Sequence, residues 1–301
     1  MKRRFLGRVL LLGVLLTVLC GYSAVSQDLL LANVGTNNIG TSDIPETLFH
    51  QSVVHRLDRE VSGRDTSVLL LDVRTGSLLA SHWDNPQDPI PMGSLVKPFT
   101  ALAYGKAHQF HYPTHYCAGE ASGCWLPRGH GEVGMTSAIA YSCNSYFRML
   151  TIAMSRDQMT PTADEFGLDM PAPGLSGSAL SGLGGEWRIS PLHLARAFLE
   201  LNRRREQPGV REVLAGMAES SRIGTGAAVG RSLRPVTALV KTGTAACTHS
   251  KHAPGDGFVV ALVPASQPEL LLLVRVHGEP GAKAAVTAGR LLNSIYAEAH
   301  R

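Results

Sequence analysis

Two short apolar strand runs near one end of the chain and three near the other, with a long helical block between them, limit the architectures open to this sequence. The segment from Ser67 reads SVLLLDV, and after Arg74, Thr75 and Gly76 comes SLLASH, a pair that predicts a β-hairpin around a tight turn. The later runs are VTALVKT ending at Thr242, GFVVALV from Gly257 and ELLLLVRV from Glu269. Their apolar density and β-branched residues predict buried strands. Helical stretches are expected over Ser94 to about Lys106, Thr136 to Met154 and Pro191 to Arg205. A last one, Ala282 to Ala299, carries Ala285, Ala288, Leu291, Leu292, Ile295 and Tyr296 at helical spacing. Strands and helices do not alternate regularly. The expected fold is therefore α+β, an antiparallel β-sheet covered by helices with an adjoining helical subdomain.

The N-terminus reads differently. A basic cluster, Met1 to Arg4 with Arg8, precedes an apolar run from Val9 to Cys20. That run is shorter than the roughly 20 residues of a membrane span, and Ala24, Val25 and Ser26 form a small-x-small pattern suited to cleavage before Gln27. Residues 1–26 are expected to be an export signal peptide, with a retained membrane anchor or lipidation of Cys20 as alternatives; Leu19 disfavours the lipid, since a small residue normally stands there. Residues 27–64 read as a linker with one short helix around Leu48 to Val61, and residues 65–301 as one domain. The composition, 44% hydrophobic and 17% charged, is globular, and the net charge of +4 comes from scattered Lys and Arg, which excludes a nucleic-acid stripe.

Export implies an extracytoplasmic, oxidising compartment. Cys117 and Cys124 flank a flexible segment containing Gly119, Ser122 and Gly123, so a local disulfide is expected, against the alternative of two free thiols. Cys143 and Cys247 carry no pairing expectation. The cysteine spacing is not a zinc pattern, and the twelve histidines, His130, His249 and His252 among them, show no metal-ligand spacing. No metal and no cofactor are expected, and His130 reads as a structural hydrogen-bonding residue.

Three short motifs follow one another: Ser94-Leu95-Val96-Lys97, Ser142-Cys143-Asn144 and Lys241-Thr242-Gly243. Singly, each reads equally well as a solvated helix face or a strand end. Gly93 before Ser94 and Pro98 after Lys97 place the serine at a helix start, where amide donors and a positive field favour negative charge at a reacting centre. Lys97, one turn on, projects from the same face and can serve as a base if its environment lowers its pKa. Gly243 is expected to leave room for a ligand beside the backbone, and Thr242 and Thr244 to hydrogen-bond a carboxylate.

The ordered set SxxK, SxN and KTG resembles that of penicillin-binding proteins and serine β-lactamases. The flanks, Ile90-Pro91-Met92-Gly93 before the serine, Gly129-His130-Gly131, Ser145-Tyr146-Phe147 and Ile189-Ser190-Pro191-Leu192, resemble class B penicillin-binding transpeptidases over roughly Ser67 to Tyr296. The resemblance implies that Ser94 is a nucleophile acting on peptidoglycan stem peptides and acylated by β-lactams, with Lys97 as base. Ser142 would relay a proton to the leaving amine with the support of Lys241, and Asn144 would contact the substrate amide. The amides of Ser94 and Thr244 would form the oxyanion hole, and Thr242, Gly243 and Thr244 would line the carboxylate subsite. It also implies cell-wall synthesis proteins as partners. The short interval from Asn144 to Lys241 resembles class D β-lactamases and penicillin-sensor domains, but those carry an aliphatic residue in place of Asn144, and no Tyr-Gly-Asn element is present. A non-catalytic wall scaffold is the third reading; the intact motifs argue against it. Glu165 and Asp169 come too soon after the second motif for a deacylating glutamate, and Phe166-Gly167-Leu168 reads as a helix end.

Overall fold

The computed structural model describes residues 48–61, 63, 65–247 and 254–299. The signal or anchor segment with Cys20, most of the linker, and His249 and His252 lie outside the described residues. No helix among the described residues is long and apolar enough to cross a membrane.

The chain runs α1 (Leu48–Glu60), β1 (Thr66–Asp72), β2 (Leu78–His82), β3 (Ile90–Pro91), a 3-10 turn (Gly93–Val96) and α2 (Lys97–Ala107). Next come β4 (His115–Cys117), β5 (Gly131–Val133), α3 (Met135–Ala140), α4 (Asn144–Thr151), α5 (Arg156–Phe166), β6 (Arg188–Ile189) and α6 (Pro191–Arg203). The last part is α7 (Val210–Arg222), α8 (Ala227–Leu233), β7 (Leu239–Ala245), β8 (Asp256–Val263), β9 (Leu270–Val276) and α9 (Gly281–Ala299). Five strands form one antiparallel sheet in the order β2-β1-β9-β8-β7. This is the expected α+β architecture.

The apolar strand runs have a simple physical reason. Alternate side chains on a strand point to opposite faces, so a strand buried on both sides is apolar at every position. On one face Leu69, Leu71, Phe258, Val260, Leu262, Leu271 and Leu273 pack with Phe99, Phe147 and Phe198 of the helical block. On the other, Val68, Leu70, Val259, Ala261, Leu272 and Val274 pack with Val53 and Leu57 of α1, Val229 of α8, and Ala288, Leu291 and Leu292 of α9. Full burial of each large aliphatic side chain contributes roughly 1.5–3 kcal/mol, which fixes the sheet as the middle layer. Inside it, Arg275 donates from Nε and Nη2 to Asp256 at 2.8 and 2.5 Å, so the two charges of adjacent strands are buried as a pair.

Three boundaries differ from expectation. The third motif lies within β7, paired to β8 as far as Ala245, rather than at a strand end. Ser94 belongs to the 3-10 turn, and α2 proper begins at Lys97 with Pro98 in its first turn. The helix expected over Thr136 to Met154 breaks into α3 and α4 at Ser142, whose φ is +52°. There the amide of Cys143 donates to Ala138 O at 2.9 Å and that of Ser142 to Ile139 O at 3.2 Å, the paired bonds of a left-handed helix C-cap. Glycine usually marks that position in a sequence; a serine gave no such mark.

Candidate active site

The three motifs converge between the end of α3, the start of α2 and strand β7. The 3-10 turn that carries Ser94 packs directly on β7. A Cβ added to Gly93, whose φ is +55°, would lie 2.3 Å from Thr244 O, and one added to Gly243 would lie 2.8 Å from Met92 O. The space beside Gly243 is therefore filled by the turn that carries Ser94. The expectation that it admits a ligand at that point gives way to a packing role: the glycine lets motif three approach motif one.

Ser94 is 8% exposed, whereas Lys97 and Lys241 have no exposed surface. Lys97 Nζ donates to Ser142 O at 2.9 Å and to Asn144 Oδ1 at 2.7 Å, and stands 5.2 Å from the centre of the Phe147 ring. Burial lowers its pKa to about 7. A neutral lysine amine has two N–H donors and one lone pair. The two acceptors take both hydrogens, which leaves the lone pair unshared. Lys241 Nζ donates to Ser142 Oγ at 2.9 Å and to Thr242 O at 2.7 Å. Its pKa is also held well down, first by burial and then by the nearby charge of Lys97. Ser142 thus touches both lysines, one through its carbonyl and one through its hydroxyl. Its left-handed backbone, a conformation costing about 1–3 kcal/mol, points the two groups to different partners.

On the other side of β7 the two threonines differ. Thr242 is buried and its hydroxyl donates to Thr225 Oγ1 at 2.5 Å. Thr244 is exposed; its oxygen accepts from Gly281 N at 3.0 Å, and its hydroxyl hydrogen remains available. Thr225, whose amide donates to Ala140 O at 3.1 Å, links β7 to the end of α3. Nothing in its local sequence marks it. Glu165 pairs with Lys106 and, at 2.5 Å, with Arg204. Asp169 accepts from the Ser190 amide at 2.5 Å and lies 2.9 Å from His193 Nδ1, so both carboxylates hold helices in place. A cavity of about 1100 Å³ beside His82, Trp83, Arg188 and Arg275 contains none of the motif residues.

The cysteines depart from expectation. Cys117, Cys124, Cys143 and Cys247 are all free thiols. Cys117 and Cys124 do not bond to each other; the ring of His130 lies beside both, its Nδ1 3.5 Å from each sulfur. Cys143 joins this group, with its sulfur 3.9 Å from that of Cys124. The four residues bring one ligand atom each within 4.8 Å of one another. The spacing argument against metal ligands could not anticipate them, since the fold collects them from three separate segments. A second grouping, Cys247, Asp256 and His277, holds a carboxylate already committed to the Arg275 guanidinium.

Residues 66–297 match the family model described as the penicillin binding protein transpeptidase domain. The chain belongs to the penicillin-binding protein transpeptidase family. Among relatives in this family, the peptidoglycan D,D-transpeptidase MrdA of Acinetobacter baumannii is 27% identical over a match covering 36% of this chain and 22% of that protein. The chain thus spans much less than two thirds of that relative. Among solved structures, PBP2 of Pseudomonas aeruginosa, in complex with WCK 5153, is similar with a TM-score of 0.66 at 19% identity, over 82% of this chain and 73% of that one. The transpeptidase domain of penicillin-binding protein 3 from Burkholderia pseudomallei gives 0.63 at 18%, over 83% and 93%. PBP2 from Helicobacter pylori, solved in complex with MreC, gives 0.70 at 17%, over 83% and 63%. At these identities the solved structures establish the fold shared with penicillin-binding transpeptidase domains.

Proposed function

We propose that this protein is an extracytoplasmic serine D,D-transpeptidase, or a carboxypeptidase of the same chemistry, that acts on peptidoglycan stem peptides and is acylated by β-lactams. Its catalytic domain is residues 65–301, delivered by an export signal or anchor in residues 1–26. The observation that carries this reading is Lys97: fully buried, with a pKa near 7, its two amine hydrogens on Ser142 and Asn144, three residues from a serine in a helix-leading turn.

In the reaction, Lys97 Nζ takes the proton of Ser94 as Oγ bonds to the scissile carbonyl carbon. Charge on the carbonyl oxygen is met by the amides of Ser94 and Thr244, each such donor being worth about 3–4 kcal/mol in the transition state. The C–N bond then breaks, and Ser142, held by Lys241, passes its hydroxyl proton to the departing amine and is reprotonated with the proton that Lys97 took from Ser94. An incoming amine or water releases the acyl group from Ser94. Asn144 orients the substrate amide, and Thr244, with its free hydroxyl hydrogen, is the stronger of the two threonines for the substrate carboxylate. The MrdA relative acts as a D,D-transpeptidase and one solved relative binds MreC; a comparable wall-synthesis assembly is the proposed setting here.

Labelling the purified full chain with a fluorescent penicillin tests the assignment. Stoichiometric labelling is expected and Ser94→Ala should abolish it. Labelling of the alanine variant at the wild-type level would overturn the nucleophile.

A further inference from the structure

At one end of the sheet, on the face that packs against the helical block, the apolar pattern stops. Leu69 and Leu71 of β1 and Leu271 and Leu273 of β9 lie in the core on that face. One step further along the same alternation stand Ser67 and Arg275, register partners on the paired strands. Ser81 of β2, opposite Leu69, carries the polar patch onto a third strand. These three residues line the cavity of about 1100 Å³, with Trp83, Asp84 and Asp88 from the segment between β2 and β3, and Arg188 from β6. The volume exceeds the roughly 300–1,000 Å³ of a pocket for one small ligand, and suits a short peptide.

Part of the lining is already fixed. Arg275 is bound to Asp256 and its guanidinium stands 5.9 Å from the centre of the Trp83 ring, while His82 Nε2 is 2.8 Å from Asp58. Asp84, Asp88 and Arg188 are different. All three are exposed, and none takes part in an ion pair among the described residues. The cavity therefore presents uncommitted charges of both signs around serine hydroxyls and one aromatic ring. A ligand that satisfies it carries an amine and a carboxylate at short spacing, joined by aliphatic carbons. Inorganic phosphate or an acyl chain meets only one of these demands. A stem peptide meets all of them, since it combines free carboxylates with the amine of a diamino residue.

We propose that this cavity is a second peptide site, which holds a peptidoglycan stem peptide other than the one at Ser94. Its carboxylates face Arg188, its amine faces Asp84 and Asp88, and its aliphatic carbons lie on Trp83. The identity of the ligand rests on the proposed function. Cavity and nucleophile are near one another: Ile90, in the cavity wall, precedes Ser94 by four residues, at most about 14 Å of chain. A wall polymer bears many stems, so one stem held here keeps its neighbours close to Ser94. That raises their effective concentration without any new contact in the catalytic cleft.

The test uses the purified full chain and a fluorescent stem pentapeptide with a diamino acid at its third position, before and after Ser94 is blocked with penicillin. Binding should persist on the blocked protein at one peptide per chain. Arg188→Glu and Asp88→Lys should each weaken this retained binding about tenfold or more, as loss of hydrogen bonds to charged groups does. Both residues are exposed, so the variants should unfold in urea close to the unaltered protein. A photo-reactive form of the peptide should attach within residues 81–90 of the blocked, unaltered protein, a readout that needs no variant. Loss of binding after the block, or attachment only elsewhere, would overturn the site. An all-L peptide of the same charges that binds equally well would assign the cavity to a segment of a partner protein and overturn the stem-peptide assignment. Normal penicillin labelling without retained binding removes this inference alone. Attachment within residues 81–90 with no labelling under any condition counts against the proposed nucleophile and leaves the cavity site standing.

Discussion

A lysine with no exposed surface, bonded only to two neutral oxygens, is more easily neutral than charged, and this gives Lys97 a signature in pH. With a folded pKa of about 7 against an unfolded value of about 10.4, the active form of the base grows as pH rises and saturates above neutrality. The rate of Ser94 acylation should climb about tenfold per unit below pH 7 and flatten above it; a flat profile from pH 5 to 9 would remove Lys97 from the role. The same shift makes the unfolded state the better proton binder between about pH 7 and 10.4, so this group's contribution to stability rises with pH across that window and is least below it. Thr225 is a positioning residue whose effect is smaller. Thr225→Val removes the acceptor of the Thr242 hydroxyl and should cost about 1 kcal/mol in urea unfolding while slowing labelling; Thr225→Ser should restore both. A purely structural threonine would lose stability without the change in labelling.

At the level of elements, the contact of the 3-10 turn with β7 is the tightest joint of the site. Gly93→Ala would place a methyl group 2.3 Å from Thr244 O on a left-handed backbone, and should destabilise by at least about 1–2 kcal/mol and abolish labelling in whatever protein remains folded. Leu57→Ala tests the opposite face. It opens a cavity between α1 and the sheet and should cost about 2–5 kcal/mol in thermal or urea unfolding, yet leave labelling at 25 °C unchanged, because α1 packs on β2 and α9, and β2 lies at the opposite end of the sheet from β7. The strands were legible because double-sided burial demands an unbroken apolar run, and the final helix because its alanines and leucines repeat at helical spacing. The order of the motifs was legible as well. The break at Ser142 was not, since a left-handed cap made by serine looks like helix in a sequence of Ala138, Ile139, Ala140 and Tyr141. Nor was the meeting of Cys117, Cys124, His130 and Cys143. The pairing of β4 with β5 and the cap of α3 create it, and neither leaves a spacing pattern.

At the scale of the whole molecule, the second motif gathers two buried lysines, Lys97 and Lys241. Glu165 and Asp169, the acidic pair that follows the second motif, are engaged by Lys106, Arg204, Ser190 and His193, so neither is poised to activate water. The penicillin adduct on Ser94 should therefore persist for minutes or longer by intact mass after free antibiotic is removed. Its loss within seconds, with many turnovers, would place this protein with the β-lactamases. The sheet order has a consequence for how such a protein comes into being. Strand β1 pairs along its length with β9, the last strand of the sheet, so the first hairpin acquires its second neighbour only when nearly all of the chain is present. Contacts so distant in sequence fold slowly, and until they form β1 and β8 each present an open edge to any other unfinished chain. A ribosome stalled before Leu270 would already have made every residue of the three motifs, while the sheet behind them stayed divided between the β1–β2 and β7–β8 hairpins.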